Sequence, residues 1–274
     1  MKINGSIMKW VGSKRLMLDR LFKHVPNTGD VLIEPFAGSC NVALNSNYNR
    51  YLLNDANADL MKLYQLARDE PHWLIGELKV LFNGENNSAP RYYQFRRIYN
   101  KSTNERQRAV LLMYLSRHSY NGLVRYSAKS GFNVPFGSYK APYLPEAEIL
   151  FFSEKMANAE FYSMDFEPFL EMASKVSGEK VCYVDPPYLP LSNGKKVFVE
   201  YVAGGFPTHR HKDINDVLFR NKDVFSTIRV SNHSSKMLDV SYPNYIKKST
   251  FRVPRTISQS GGDRNPAKEV ILYY

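Results

Sequence analysis

The chain carries only two cysteines in 274 residues, Cys40 and Cys182, both in apolar surroundings. That is too few for a disulfide framework, so a reducing cytoplasm is the expected compartment. No apolar run reaches the roughly 18 residues of a membrane-spanning helix, so no membrane partner is expected. The first residues lack the basic, apolar, small-residue pattern of a secretory leader. No His/Cys spacing resembles a metal site, and no metal is expected. His209 and His211 stand two apart on a polar, basic segment and read as solvated. There are no internal repeats, no low-complexity tail and no G-x-G-x-x-G fingerprint. The length suits one large α/β domain with a sizeable insertion, or two domains.

What is present is sharper. Val181-Cys182-Tyr183-Val184-Asp185-Pro186-Pro187-Tyr188 is an apolar, β-prone run that ends in an acid, two prolines and an aromatic. Prolines lack a backbone N–H and fix φ, so a strand here stops at about Val184. Asp185 then sits at its carboxyl end, where open α/β sheets put their ligands. A carboxylate, a carbonyl with rigid neighbours and an aromatic face suit a flat heterocycle with an exocyclic amine. Such an amine is a poor nucleophile, because its lone pair is delocalised into the ring. Asp185 can accept one N–H and the Pro186 carbonyl the other, drawing the nitrogen toward tetrahedral geometry. Those bonds strengthen as positive charge develops, so they favour the transition state. Tyr188 would stack on the base, a contact worth roughly 1–3 kcal/mol. The alternative is a Pro-rich turn with Asp185 as a turn or cap residue.

Residues 31–36, Val-Leu-Ile-Glu-Pro-Phe, read as a buried strand running into a turn at Ala37-Gly38-Ser39, with Asn41–Leu44 opening a helix. Tyr51–Leu53 is a second short strand, ending in Asn54-Asp55. Strand, glycine turn, helix, strand and acid make half of a nucleotide-binding unit, with Asp55 placed for ribose hydroxyls. The single central glycine makes no pyrophosphate cradle, which points to a ligand without a diphosphate, such as S-adenosylmethionine. An ordinary βαβ turn is the alternative.

The net charge of +11 is concentrated. Residues 91–140 hold ten Lys/Arg against one acid, and ten aromatics with them. A basic segment interleaved with aromatics is the footprint of a nucleic-acid surface. A solvated helical face over a Tyr-rich core is the alternative. Residues 56–118 read as largely helical, and the turns Asn121-Gly122 and Lys129-Ser130-Gly131 flank a hairpin-like stretch at Leu123–Tyr126. Glu146–Ala159 reads as helix. Phe161–Asp165, Val181–Asp185, Val224–Ser231, Tyr245–Lys248 and Glu269–Tyr274 read as strands, with a turn beginning at Gly261-Gly262. An α/β pattern at both ends and a basic, helical middle predict a catalytic domain at 1–56 and 144–274, interrupted by an insertion at 57–143.

Glu34-Pro35-Phe36-Ala37-Gly38, Asp185-Pro186-Pro187-Tyr188 and Lys9-Trp10-Val11-Gly12-Ser13-Lys14 together resemble the Dam family of DNA adenine methyltransferases, which modify the 6-amino group of adenine in GATC. The order of cofactor motif, recognition domain and D-P-P-Y motif is that of the family's α group. The similarity covers nearly the whole chain, including Tyr120–Tyr126 and Phe132–Gly137. It implies a Rossmann-like, S-adenosylmethionine-dependent methyltransferase sheet with an inserted, mainly helical target-recognition domain that carries a β-hairpin.

The resemblance also implies roles. Trp10 and Lys14 close over S-adenosylmethionine, with Phe36 and Gly38 beside it. Asp55 holds the ribose, Asp165-Phe166 bracket the cofactor adenine, and Asp185 lies where cofactor and base meet. Asp185, Pro186, Pro187 and Tyr188 form the catalytic edge. Double-stranded DNA is the implied partner. Arg125 falls on the arginine that reads a guanine, a bidentate contact that geometry also favours. Leu123 and Pro135 fall on apolar contacts to thymine methyls or base edges, Lys9 on the contact to the first G·C pair, and Tyr120 on the aromatic that wedges into the stack as adenine flips. Asn121 and Arg117 fall on backbone contacts, and Asn133 stands on the same DNA-facing stretch. Read without the family, Trp10 and Tyr120 are core aromatics and Arg125 a surface charge. The loop at Asn193–Lys196 and the segment Ser258–Gly262 depart from the family's pattern, as does Ser39-Cys40 after the glycine. Two rival readings remain open: a methyltransferase of another base or sequence, and a non-catalytic DNA-binding module on the same fold.

Overall fold

The central strands are apolar on both faces, which calls for helices on either side. In the computed structural model, which describes residues 3–127, 129–190, 205–253 and 267–274, they receive them. The chain opens with a single helical turn, α1 (Leu18–Leu21), then β1 (Thr28–Glu34), the turn α2 (Asn41–Leu44) and β2 (Asn47–Asn54). Four helices follow: α3 (Ala58–Asp69), α4 (Pro71–Leu81), α5 (Ala89–Lys101) and α6 (Glu105–His118). A small hairpin, β3 (Tyr126–Ser127) and β4 (Gly131–Phe132), leads to α7 (Glu146–Lys155), β5 (Ala159–Tyr162), α8 (Phe166–Ser174) and β6 (Lys180–Val184). Then come α9 (Arg210–Arg220), β7 (Thr227–His233), α10 (Leu238–Ser241), β8 (Lys247–Val253) and β9 (Ala267–Tyr273).

Seven strands form one sheet in the order β5-β2-β1-β6-β7-β9-β8. The first five are parallel to one another, and β9 runs antiparallel to both β7 and β8. This is an α/β fold with a mainly parallel, doubly wound sheet. Strand order reverses between β1 and β6, and that switch point is where such sheets bind ligands. Alternation along each strand divides the core. Leu32, Tyr51, Leu53, Val181 and Tyr183 pack on the side of α3 and α7, while Val31, Ile33, Leu52, Cys182 and Val184 pack on the side of α8 and α9. Both cysteines are buried and unbridged. No helix among the described residues is long and apolar enough to cross a membrane.

Several boundaries move. The helix expected to run to Ala159 stops at Lys155, because Ala159 already pairs with Tyr51 in the β2–β5 ladder. The strand expected at Phe161–Asp165 ends at Tyr162, because the Asp165 side chain accepts the Glu167 N–H as the N-cap of α8. The strands from 224 and 245 begin at Thr227 and Lys247. His211 is not solvated. It lies on the core face of α9 with Ile214, Asn215 and Leu218, bonded to the Tyr242 hydroxyl at 2.7 Å, and burial pushes its pKa down to about 4. The departures at Asn193–Lys196 and Ser258–Gly262, and the turn at Gly261-Gly262, lie outside the described residues.

Candidate active site and nucleic-acid interface

β1 and β6 deliver their carboxyl ends side by side. Asp185, directly after β6, has one oxygen, Oδ2, 2.7 Å from Lys14 Nζ. Its other oxygen, Oδ1, is buried without a hydrogen-bond partner among the described residues. Burial raises the Asp185 pKa, while the Lys14 charge pulls it back. Lys14 is itself buried, donates to the Gly12 carbonyl at 3.0 Å and sits 4.7 Å from the centre of the Tyr188 ring. The Tyr188 hydroxyl donates to Glu269 at 2.8 Å, and its ring meets that of His233 edge-on at 5.4 Å. A half-buried carboxylate whose inner oxygen lacks a partner among the described residues, beside a fixed aromatic face, suits an exocyclic amine.

The glycine loop after β1 is fastened from three sides. Gly38 has φ +47°, and a Cβ there would stand 3.1 Å from the Trp10 ring, so both the backbone and the close indole favour glycine. The Gly38 N–H donates to Asp55 Oδ2 at 3.0 Å, and the Gly38 carbonyl accepts from the Tyr64 hydroxyl at 2.7 Å. Asp55 also accepts the Asn57 N–H at 2.9 Å. A carboxylate offers about four lone-pair sites, so capacity remains for ribose hydroxyls. Burial raises the Asp55 pKa to about 6, against the pull of those two N–H donors. Phe36, Phe166 and Phe206 form an aromatic cluster at the same sheet edge, with Phe36 5.4 Å from Phe166 and 5.8 Å from Phe206. Asp165 is exposed and engaged by Arg210 as well as capping α8, so its carboxylate holds structure as the chain stands.

The roles of two residues here escaped the sequence reading, which named both only as parts of motifs or strand ends. Asn54 is buried and donates to the carbonyls of Pro35 and Met164 at 3.0 Å each, while its own oxygen accepts the Met164 N–H. It locks the ends of β1, β2 and β5 together. Its place at a strand end was the available signal. Glu34 is fully buried, accepts the Ala43 N–H at 3.0 Å and lies near Asp185. Burial, opposed by that N–H and reinforced by the Asp185 charge, lifts its pKa to about 8. The unfolded chain would titrate Glu34 at about 4.3. The folded state therefore keeps a proton that the unfolded state loses, and stability falls as pH rises from about 4.3 to about 8. Glu34→Gln should flatten that fall. The check is the Tm of both proteins at pH 5 and pH 8, with the wild type dropping further.

The N-terminal strap joins this edge to the basic region. Asn41 donates to Ser13 and Ser39 at 2.6 and 2.7 Å. Further back, the Lys9 stem packs on Gly122, where a Cβ would come within 2.6 Å of it, and Lys9 Nζ lies 5.2 Å from the Tyr139 ring centre. Burial, then the Arg117 charge, lowers the Lys9 pKa. Tyr120 is 54% exposed, not a core aromatic, and its N–H donates to the Pro135 carbonyl at 2.9 Å. Asn121 (φ +55°) and Pro135 are exposed beside it, and Leu123 is half-buried, packed against the core. Arg125 Nε donates to Asn133 Oδ1 at 2.8 Å, across the hairpin, which fixes the plane of the guanidinium.

Arg117, expected at the DNA backbone, is engaged within the protein. Only 8% exposed, it donates to the Ile7 carbonyl at 2.6 Å and lies against Tyr143. Other cations of the segment are similarly engaged. Arg106 is paired with Glu70, Arg108 with Asp59 and Arg91 with Glu85, while Arg96 donates to the Val134 carbonyl and lies over Tyr93. Arg97, Lys101, Lys129 and Lys140 are exposed. Arg117→Gln should lower Tm, since an unsatisfied buried acceptor costs about 1–3 kcal/mol, and leave the salt dependence of DNA binding unchanged. Lys129→Gln or Lys140→Gln should flatten the log–log salt slope by about 0.9 for each phosphate left without its cation. Binding titrations from low to moderate salt distinguish the two.

Fold and site together define an enzyme of the doubly wound α/β class, with carboxylates at the switch point and a strap leading to a cationic surface. Residues 10–254 match the D12 class of N6 adenine-specific DNA methyltransferases. The DNA adenine methylase of Escherichia coli (strain K12) is 38% identical over 274 residues, covering 100% of this chain and 96% of its own. That of Vibrio cholerae serotype O1 (strain ATCC 39541 / Classical Ogawa 395 / O395) is 35% identical over 275 residues, covering 100% and 97%. A crystal structure of a putative methyltransferase complexed with SAH matches 95% of this chain and 49% of its own, at TM-score 0.40 and 11% identity. The chain belongs to the D12 class N6 adenine-specific DNA methyltransferase family.

Proposed function

We propose that the protein transfers a methyl group from S-adenosylmethionine to the 6-amino group of adenine in double-stranded GATC sites, in the cytoplasm, after flipping the adenine out of the duplex. The single observation that carries this reading is Asp185, whose Oδ1 is a buried acceptor lacking a partner among the described residues, near the Tyr188 ring. The residues fit the cofactor. Trp10 lies on Gly38, Asp55 retains acceptor capacity, and Phe36 and Phe166 supply apolar rings at the same edge.

When bound, S-adenosylmethionine supplies the methyl on a sulfonium, and the C–S bond breaks as the N–C bond forms. Asp185 Oδ1 accepts one amino N–H and the Pro186 carbonyl the other, while Pro187 stiffens the turn. Both acceptors strengthen their bonds as positive charge grows on nitrogen. The aminium then loses its proton to water without a strong base. Tyr188 stacks on the flipped base, which offsets an unstacking cost of a few kcal/mol. Residues 57–143 form the recognition unit. Arg125 reads guanine, Leu123 and Pro135 touch base edges, Tyr120 wedges into the stack, and Lys9, Asn121 and Asn133 support the contact.

Expression in a methylation-deficient bacterial host tests the reading. Its DNA should become resistant to a nuclease that cuts only unmethylated GATC. Continued cutting despite soluble enzyme contradicts the target assignment.

A further inference from the structure

The hairpin that carries Arg125 cannot hold its own shape. Its strands are two residues each, pairing Tyr126 with Phe132 and Ser127 with Gly131, with one further backbone bond from the Asn133 N–H to the Arg125 carbonyl at 3.2 Å. Longer isolated two-stranded hairpins are already marginal in water. What holds it is the carboxyl end of α5. Asn100 Nδ2 donates to the carbonyls of Ser130 and Phe132 at 3.0 Å each, and Asn100 Oδ1 accepts the Phe132 N–H at 2.9 Å. Gly131 leaves room for that amide, since a Cβ there would stand 2.7 Å from Asn100 Oδ1. The other strand is held through Tyr126. Its hydroxyl lies 2.7 Å from the Tyr99 hydroxyl and accepts from Asn57 Nδ2 at 3.2 Å. The Tyr99 hydroxyl donates to Asp59, and Arg108 holds Asp59 with two bonds of 2.8 and 2.6 Å. Arg108 also donates to the Tyr99 carbonyl at 2.7 Å.

Donors and acceptors run one way along this chain. The Asn57 amide donates to Tyr126, Tyr126 to Tyr99, and Tyr99 to Asp59, whose charge Arg108 balances. Partly buried chains of this kind polarise one another and fix a single arrangement. One end of it is the Asp59–Arg108 pair, and Tyr126, an inner link, is the strand residue next to Arg125. The other end is Asn57, whose backbone N–H holds Asp55 in the cofactor loop.

We infer that Tyr126 is a specificity-determining positioning residue: hydrogen-bonded to Asn57 and Tyr99, its hydroxyl sets the register and direction from which Arg125 meets the base pair. The inference rests on the proposed reading of guanine by Arg125. Tyr126→Phe keeps the ring, which packs edge-on against Phe132 at 5.9 Å, and removes only the hydroxyl. Tyr99→Phe breaks the same chain one link further from the base.

The experiment is the initial methylation rate on a GATC duplex and on duplexes altered at one base pair. It is measured at one salt concentration for wild type, Arg125→Ala, Tyr126→Phe and Tyr99→Phe. The ratio of rates within one preparation does not depend on its folded fraction, so partial misfolding does not obscure the result. The expected result is a GATC preference reduced by about fivefold or more in both phenylalanine variants, at the pair where Arg125→Ala also reduces it. A uniform loss of rate on every duplex, with an unchanged ratio, makes the hydroxyl merely structural and overturns the inference. If Arg125→Ala leaves the ratio unchanged while Tyr126→Phe lowers it, the reading of Arg125 fails and the hydroxyl's role must act through another residue, which also overturns the inference as stated.

Discussion

Asp185→Ala should fold normally and methylate at least about a thousandfold more slowly, the scale seen when one charge-stabilising group is removed. The substitution deletes both the open acceptor and the partner of Lys14. It leaves the backbone of Pro186, the Tyr188 ring and the cofactor loop in place, so the loss should fall on turnover under single-turnover conditions. Asp185→Asn should fail as well, because its amide NH₂ can present a donor to a donor amine. It also removes the negative charge facing Lys14, which stays buried. A thermal melt separates loss of chemistry from loss of fold. Near-normal single-turnover methylation by Asp185→Ala contradicts the mechanism.

Arg125→Ala should act differently. Losing a bidentate arginine–guanine pair costs roughly 1–3 kcal/mol, and only on sites that carry that guanine. Turnover on GATC should therefore drop by about fivefold to 150-fold. The gap between GATC and sites altered at that pair should narrow. An arginine that only touched phosphate would weaken all sequences alike and leave the ratio unchanged. Asn133 holds Arg125 Nε at 2.8 Å, so Asn133→Ala should produce a weaker form of the same narrowing.

The sheet edge was legible because its signals are local. Two prolines after Val184 end a strand by their own chemistry, and a glycine between Ala37 and Ser39 marks the turn that brings the loop to Asp55. Those features require no knowledge of the rest of the chain. The charge count of residues 91–140 was a poorer guide, because a count cannot see partners. Arg106, Arg108 and Arg117 all add to the basic count in sequence, yet they are drawn to Glu70, Asp59 and the Ile7 carbonyl, all distant along the chain. His211 misled for a related reason. Basic neighbours suggested a solvated segment, whereas the spacing of His211, Ile214, Asn215 and Leu218 put it on the buried face of α9. The roles of Asn54 and Glu34 stayed unread because buried polar residues at strand ends carry no composition signal. Their importance appears only once β1, β2 and β5 lie side by side.

The most direct test of the central claim is chemical identification of the product. Purified enzyme, a donor labelled in its methyl group and a duplex containing one GATC are incubated together, and the duplex is digested to nucleosides and separated. The account predicts that the label appears in N6-methyladenine, at the GATC adenine, and that replacing this adenine by another base abolishes it. Label on cytosine, or equal label on a duplex without GATC, would contradict it.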